Sequence, residues 1–194
     1  MQNQPDEQVA LQPQLLAGER ILWTGHPDPR RLLAPADAFL IPFSLLWGGF
    51  ALFWEAGVLG LFGKAPIGVD VLFVLWGVPF VLVGQYFIWG RFLYKRRDRR
   101  RTIYAVTSQR VLVLRGRGVQ SMFLEQLPTL NQHSRADGSG SIDFNSAPFG
   151  YGYWANTGMD FFGWRGTLAF YDIPQVANVY RLVAEARRGQ NPPA

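Results

Sequence analysis

Two long stretches of uncharged, mostly apolar residues constrain this chain more than any other feature of its sequence. The first covers residues 38–54 (AFLIPFSLLWGGFALFW) and resumes after Glu55 as AGVLGLF. The second covers residues 71–90 (VLFVLWGVPFVLVGQYFIWG). A bilayer core about 30 Å thick needs about 20 apolar residues at helical rise, and buried helices of soluble proteins seldom lack a polar face over that length. The sequence therefore predicts two membrane-spanning helices, at about residues 38–60 and 71–90.

The distribution of basic residues predicts how this hairpin is oriented. Residues 91–101 (RFLYKRRDRRR) contain seven Lys or Arg and one Asp, a net charge of +6, whereas the whole chain carries +5. The connection between the helices holds only Lys64 and Asp70 as charged residues, and three arginines precede the first helix, at Arg20, Arg30 and Arg31. Basic flanks mark the cytoplasmic side of a membrane helix. We therefore expect a multi-pass protein with both termini in the cytoplasm.

The basic run is also a candidate lipid-binding site. It begins where the second helix ends, so its side chains can reach anionic headgroups, each contributing about 1 kcal/mol. Nucleic-acid binding is the competing interpretation, and the position at a helix exit argues against it. We expect membrane lipids and no nucleic acid as ligands, with headgroup contacts at Arg91, Lys95, Arg96, Arg97, Arg99, Arg100 and Arg101.

Within the hairpin, small residues and one acid are the notable features. Glycine lets two helix backbones approach closely, and the predicted packing positions are Gly48, Gly49, Gly77 and Gly84. Glu55 is the only acid inside an apolar stretch. It is either part of a proton or ion relay or a residue of the external interface, and a lone carboxylate favours the second interpretation. A two-helix chain would have to form a homo-oligomer to build a pathway.

Residues 102–189 have the pattern of a mainly β domain closed by a helix. Runs rich in β-branched and aliphatic residues, separated by glycine turns, predict strands within residues 102–107, 110–116, 119–127, 129–137, 141–145 and 166–173. Asp172 is the predicted cap of the closing helix. One apolar stripe of that helix is expected to cover the sheet, at Val176, Val179, Tyr180 and Val183. Residues 19–25 (ERILWTG) form a further candidate strand.

Three short motifs carry a family resemblance over residues 15–188. LLAGERILWTGHPDPRR precedes the hairpin, TIYAVTSQRVLVLRG follows the basic run, and YDIPQVANVYRLV leads into the last helix. The arrangement resembles bacterial membrane proteins that carry a pleckstrin-homology-like domain, with a "GE-x-hydrophobic-x-W-x-G-x-P" opening and a "Y-x-hydrophobic-T-x-x-R-hydrophobic" strand pair. The matching residues are Gly18, Glu19, Trp23, Gly25 and Pro27, then Tyr104, Thr107 and Arg110.

This resemblance implies a strongly bent seven-stranded sheet or partly open barrel, capped by a C-terminal helix and held at the bacterial cytoplasmic (inner) membrane. The chain then divides into an N-terminal cytoplasmic segment (1–35), a transmembrane hairpin (36–90), the basic run (91–101) and the pleckstrin-homology-like domain (102–189). The first turn of that domain is Ser108-Gln109-Arg110, and further basic residues come only at Arg115 and Arg117. Phosphoinositide specificity is therefore not implied.

An aromatic segment, residues 146–166, departs from a regular strand pattern. Its 21 residues include five glycines and seven aromatic residues. The rings either fill the barrel, as aromatic residues commonly do in strands, or form a surface that lies on the membrane or docks a membrane protein. We predict that Phe161 and Phe162 belong to the core, and that the exposed docking group is Tyr151, Tyr153 and Trp154.

The composition leaves little material for catalysis. The chain has no cysteine and two histidines, and it contains no Ser–His–acid set, phosphate-binding glycine loop or paired carboxylates. We therefore expect no enzyme, no catalytic residue, no cofactor and no metal. The leading hypothesis is a membrane-anchored interaction module for a protein partner or an anionic lipid surface. The alternative is an accessory subunit of a larger membrane complex, packed through its hairpin and aromatic segment.

Overall fold

Two apolar helices lie side by side in the first half of the chain. The computed structural model describes residues 4–63, 71–116, 118–145, 156–159 and 168–190. A short helix α1 (Gln4–Leu11) comes first, and the apolar pair is α2 (Asp37–Val58) and α3 (Val71–Gln85). Helix α3 continues through a π-helical turn (Tyr86–Gly90) into a charged helix, α4 (Arg91–Arg99). By length and composition, two helical segments could cross a membrane: α2, and the continuous helix of α3, the π-helical turn and α4 from Val71 to Arg99.

The rest of the described chain forms two antiparallel sheets and a last helix. The first sheet has the order β1-β2-β3-β4, and the second has the order β5-β6-β7. The strands are β1 Ile21–Gly25, β2 Thr102–Thr107, β3 Arg110–Arg115, β4 Gly118–Phe123, β5 Asn131–Ser134, β6 Gly140–Asp143 and β7 Ala169–Ile173. Helix α5 (Val176–Gln190) follows β7. The predicted helix pair, antiparallel strands and C-terminal helix are therefore confirmed.

Along the chain, the helix pair lies between two strands, β1 and β2, that are direct neighbours in one sheet. Strand β1 pairs with β2 in antiparallel register, so that Gly25 lies opposite Tyr104. The chain leaves the sheet at Gly25, runs through α2, α3 and α4, and returns at Thr102. Both outer ends of the helix pair consequently lie beside the sheet. Strand β1 thus joins the β domain from within the N-terminal segment, as its ERILWTG pattern suggested.

The main core lies between the two sheets and α5. It joins Tyr104 and Val106 of β2 to Phe170 of β7, with the Tyr104 and Phe170 rings stacked 4.7 Å apart. Helix α5 covers this core with the predicted stripe, of which Val176, Val179 and Val183 are buried and Tyr180 is partly buried. Burial of such apolar faces is the main favourable contribution to folding.

The other face of the first sheet has a smaller core of its own. Successive side chains of a strand alternate between the two faces, so Ala105 and Leu112 point away from the main core. Leu11 of α1 is fully buried against them, and Leu15 packs beside it. The chain before β1 therefore covers the outer face of the sheet.

Candidate functional site

The basic run forms α4, and its charges divide between two faces. Arg91, Lys95 and Arg99 recur every four residues, which places them on one face of a helix with 3.6 residues per turn. Their exposed fractions are only 1%, 4% and 3%. The remaining basic residues of the run are exposed: Arg96, Arg97, Arg100 and Arg101. One helix thus presents a buried basic stripe and an exposed basic face.

Arg91 joins the two apolar helices where they meet the β domain. Its Nη1 pairs with the carboxylate of Asp37, the first residue of α2, which is also buried. Its Nε donates to the carbonyl of Phe87 at 2.8 Å, and Nη1 donates to the carbonyl of Thr157 at 3.3 Å. The adjacent Gly158 has φ +86°, and a Cβ there would lie 2.5 Å from the Arg91 carbonyl oxygen, so this turn requires glycine.

Lys95 and Arg99 connect α4 to the chain before α2 and to the second sheet. Lys95 Nζ donates to the carbonyl of Leu32 at 2.7 Å, and Arg99 Nη1 donates to the carbonyl of Asp28 at 2.6 Å. Arg99 Nη2 lies 2.5 Å from Asp172 Oδ2 at the end of β7. The stripe therefore attaches α4 to the start of α2, to the chain before it and, through Arg99, to the end of β7.

Asp172 is the acidic centre of this attachment. Its carboxylate lies against Arg99 and 2.6 Å from Arg135 Nη1, and it accepts a bond from Asn156 Nδ2 at 3.3 Å. Burial alone would raise the pKa of Asp172, but the two guanidinium groups outweigh burial and lower it. The sequence predicted a helix cap here, and the structure instead shows an ion-pair centre.

The prediction that all seven basic residues contact lipid headgroups is wrong for the buried stripe. Arg91, Lys95 and Arg99 each bond to protein partners and have almost no exposed surface. The four exposed arginines remain predicted headgroup contacts. The four-residue spacing was present in the sequence and could have separated the two sets.

Three of the four predicted packing glycines lie where α2 and α3 touch. Gly48, Gly77 and Gly84 are buried, and a Cβ on Gly84 would lie 2.8 Å from the Gly48 Cα. Gly49 is a correction, because it is exposed and a Cβ there would meet nothing within 4 Å. One residue along a helix turns by about 100°, which moves Gly49 out of the contact.

Glu55 faces the other helix near the far end of the pair. A Cβ on Gly77 would collide with Glu55 Oε2, so the carboxylate occupies space that only glycine leaves open. Within the part of the chain that the structure describes, that oxygen is buried and has no hydrogen-bond partner. A relay would need a second ionisable side chain beside this carboxylate, and among the described residues the structure places none there.

The motif residues of the family resemblance meet in space and have structural roles. The Glu19 carboxylate accepts bonds from Thr107 Oγ1 at 2.6 Å and from Arg110 Nε at 2.9 Å. Burial acts to raise the pKa of Glu19, and these bonds together with the Leu16 amide lower it. Trp23 packs on Phe170, with ring centroids 5.8 Å apart, so it belongs to the core. These residues join the chain before the helix pair to the sheet after it.

The aromatic residues of the predicted docking group and of the predicted core pair are not among the described residues. Tyr151, Tyr153 and Trp154, with Phe161 and Phe162, fall outside the described residues. Among the residues that are described, no group of three or more His, Cys, Asp or Glu side chains could hold a metal ion.

No protein-family model, curated protein or solved structure matches this chain.

Proposed function

We propose that this protein is a membrane-anchored, non-enzymatic interaction module. In this proposal α2 and α3, the latter extended by its π-helical turn, span the bacterial inner membrane. Both termini are cytoplasmic, and the β domain lies against the inner surface. The domain presents itself there to an anionic lipid surface or a protein partner. The observation that carries the proposal is the insertion of the helix pair between the paired strands β1 and β2.

The insertion fixes which ends of the helices lie together. Because Gly25 and Tyr104 are strand partners, the chain enters and leaves the helix pair beside the same sheet. The 22 residues of α2 would extend about 33 Å at 1.5 Å per residue, enough for a hydrocarbon core of about 30 Å. A spanning hairpin anchored in this way must keep the β domain and both helix ends on one side.

The exposed basic face supports cytoplasmic placement at an anionic surface. Arg96 and Arg97 lie in the first two turns after the apolar segment, and with Arg100 and Arg101 they form an exposed basic surface. Positive charge next to a span is typical of the cytoplasmic side, where anionic lipids attract it. The strand orders of four and three with a closing helix are compatible with the pleckstrin-homology-like domain that the motifs imply.

An accessory subunit of a larger membrane complex is the second candidate. A groove of about 200 Å³ runs along the helix pair. Its walls are Trp47, Phe50, Ala51, Trp54, Trp76 and Phe80. Large rings around such a groove would suit a partner helix, since association inside a bilayer depends on close packing. Co-purification of a stoichiometric partner in mild detergent would favour this candidate.

The first test is the topology of the full chain in cells. We expect a reporter that is active only in the cytoplasm to be active when fused at residue 1 and when fused after Gln190. The reason is that both ends of the helix pair adjoin the same sheet. Labelling of either terminus by an impermeant reagent in intact cells would contradict the proposal.

The second test is lipid selectivity in reconstituted membranes. Changing Arg97 and Arg100 to Gln should lower the preference for spin-labelled phosphatidylglycerol over phosphatidylcholine by roughly thirtyfold, at about 1 kcal/mol for each charge. The matched control changes two exposed arginines of α5, Arg181 and Arg188, and loses the same charge. Equal losses in the two double variants would show that net charge, and not this face, attracts the lipid.

A further inference from the structure

A small polar cavity lies where α4 meets the first sheet. It has a volume of about 20 Å³, which is the space of one water-sized particle. Its charged walls come from Lys95, Asp98 and Arg99 of α4 and from Arg115 at the end of β3. The uncharged polar residues of the lining are Thr102, Tyr104, Asn156 and Tyr171. The cavity belongs neither to the exposed basic face nor to the helix pair.

The charges around this cavity do not balance. Arg99, Arg115 and Lys95 line it against one carboxylate, Asp98, which lies 3.5 Å from Arg115 Nε. Burial and the charge of Arg99 lower the pKa of Lys95 to about 7, and a counter-anion would favour its charged form. Arg99 is paired with Asp172, but Lys95 has no carboxylate within ion-pair distance among the residues that the structure describes. A buried ammonium with only a carbonyl partner is costly, because burial removes its hydration without supplying a counter-charge.

The cavity lining also contains hydrogen-bond donors that lack acceptors. Arg99 Nε is buried and has no hydrogen-bond partner within the described chain, and the buried Arg115 Nε has only the carboxylate of Asp98 beside it, 3.5 Å away. Both atoms carry N–H groups and can only donate. Lys95 offers three donors and uses one of them on the Leu32 carbonyl. The lining therefore has unused donors at Arg99 Nε and Lys95 Nζ, beside an excess of basic side chains over carboxylates.

We propose that this cavity is a binding site for a small monatomic anion, with chloride as the physiological ligand. An anion accepts only, so it suits donors from Lys95, Arg99 and Arg115, and charge-assisted bonds are stronger than those to neutral water. The volume of about 20 Å³ suits one small ion. The bound anion would attach α4 to the first sheet. The proposal does not depend on the proposed membrane function.

The test measures thermal unfolding of the full chain in a non-ionic detergent. Sodium chloride and sodium bromide are compared with sodium gluconate and sodium sulfate at equal ionic strength, so that general screening is constant. We expect a saturable rise in melting temperature with chloride or bromide, because a ligand that binds only the folded state stabilises it. Line broadening of the ³⁵Cl NMR signal by the folded protein reports binding directly.

Two variants locate the site and one controls for general salt effects. Lys95→Met and Arg115→Met should each abolish the chloride-dependent rise, whereas Arg97→Met, on the exposed face, should keep it. Without chloride, Lys95→Met should melt no lower than the parent, because it removes an unbalanced buried charge. Arg115 is partly exposed, so its variant keeps the test valid if Lys95→Met does not fold.

The outcomes separate the proposal from its alternatives. A rise that is equal in all four salts, or equal in the parent and in Arg115→Met, would overturn the proposal and leave a hydrated cavity. An equal loss of stability for Lys95→Met in every salt would likewise overturn it, since the bond to Leu32 would then be the whole role of Lys95. The exposed pair Arg97 and Arg100 governs lipid selectivity in the proposed function, so failure of one test leaves the other standing.

Discussion

Arg99 and Arg100 are neighbours with the same charge and opposite environments. Arg99 is buried and bonded to the carbonyl of Asp28, the side chain of Asn156 and the carboxylate of Asp172. Arg100 is exposed. Gly48 and Gly49 form a similar pair in α2, the first against Gly84 and the second open to its surroundings. The comparison teaches that the face of a helix, and not the composition of a run, decides what each residue does.

The largest expected difference is between Arg99→Met and Arg100→Met. Replacing Arg99 leaves Asp172 buried with Arg135 as its remaining ion-pair partner among the described residues, and breaking a buried ion pair costs about 3–5 kcal/mol. Replacing an exposed arginine changes stability by about 0.5 kcal/mol or less. Denaturant unfolding of the full chain in a non-ionic detergent, followed by circular dichroism, measures both values.

A matching result for the two variants would remove the distinction between buried and exposed charges. The control for lost side-chain volume is Arg99→Lys, which keeps a positive charge but has only one short head group in place of a fork. We expect it to recover part of the stability, because it can still pair with Asp172 but cannot also reach Asp28 and Asn156. Full recovery would show that charge alone accounts for the effect.

The elements of the fold were largely predictable because each depends on a local pattern. Uncharged runs of about 20 residues and strand runs separated by glycine turns are visible in a single sequence. The pairing partners of the buried stripe were not predictable. Asp37 and Asp172 lie 54 and 73 positions from Arg91 and Arg99, and only the fold brings these carboxylates to the helix. The stripe itself could have been inferred from its spacing of four.

The second comparison concerns Gly84 and Gly49, where alanine should have opposite effects. An added Cβ on Gly84 would lie 2.8 Å from the Gly48 Cα, so the helices must move apart, and overpacking of this kind costs about 1–3 kcal/mol. An added Cβ on Gly49 meets nothing within 4 Å, and alanine is about 0.5–1 kcal/mol better than glycine inside a helix. Thermal unfolding of Gly84→Ala and Gly49→Ala should therefore shift in opposite directions.

If both alanine variants were equally tolerated, the close approach of α2 and α3 would be wrong. Gly84→Ser is a useful companion, because serine is nearly as small as alanine and should be destabilising for the same steric reason. Variants at exposed apolar positions of the same helices, such as Leu72→Ala, provide a baseline for changes that do not alter the helix contact.

The smallest effect is expected from acid, and it sharpens the comparison between buried carboxylates. The pKa of Asp172 is lowered in the folded protein, so its ionised form stabilises the fold at a pH above the ordinary pKa of 3.8. This contribution is lost as the pH falls through the lower pKa of the folded state. The pKa of Asp143 is raised, chiefly by burial, so its protonation in acid has the opposite sign. We expect Asp172→Asn to flatten the loss of stability between about pH 5 and pH 2, and Asp143→Asn to steepen it.

Near pH 4 only part of Asp172 is protonated, and Arg99 keeps its bonds to Asp28 and Asn156, so the change is smaller than that of Arg99→Met. Unfolding free energies measured across this range in detergent decide the matter, and parallel acid curves for the two asparagine variants would contradict the assigned role of Asp172.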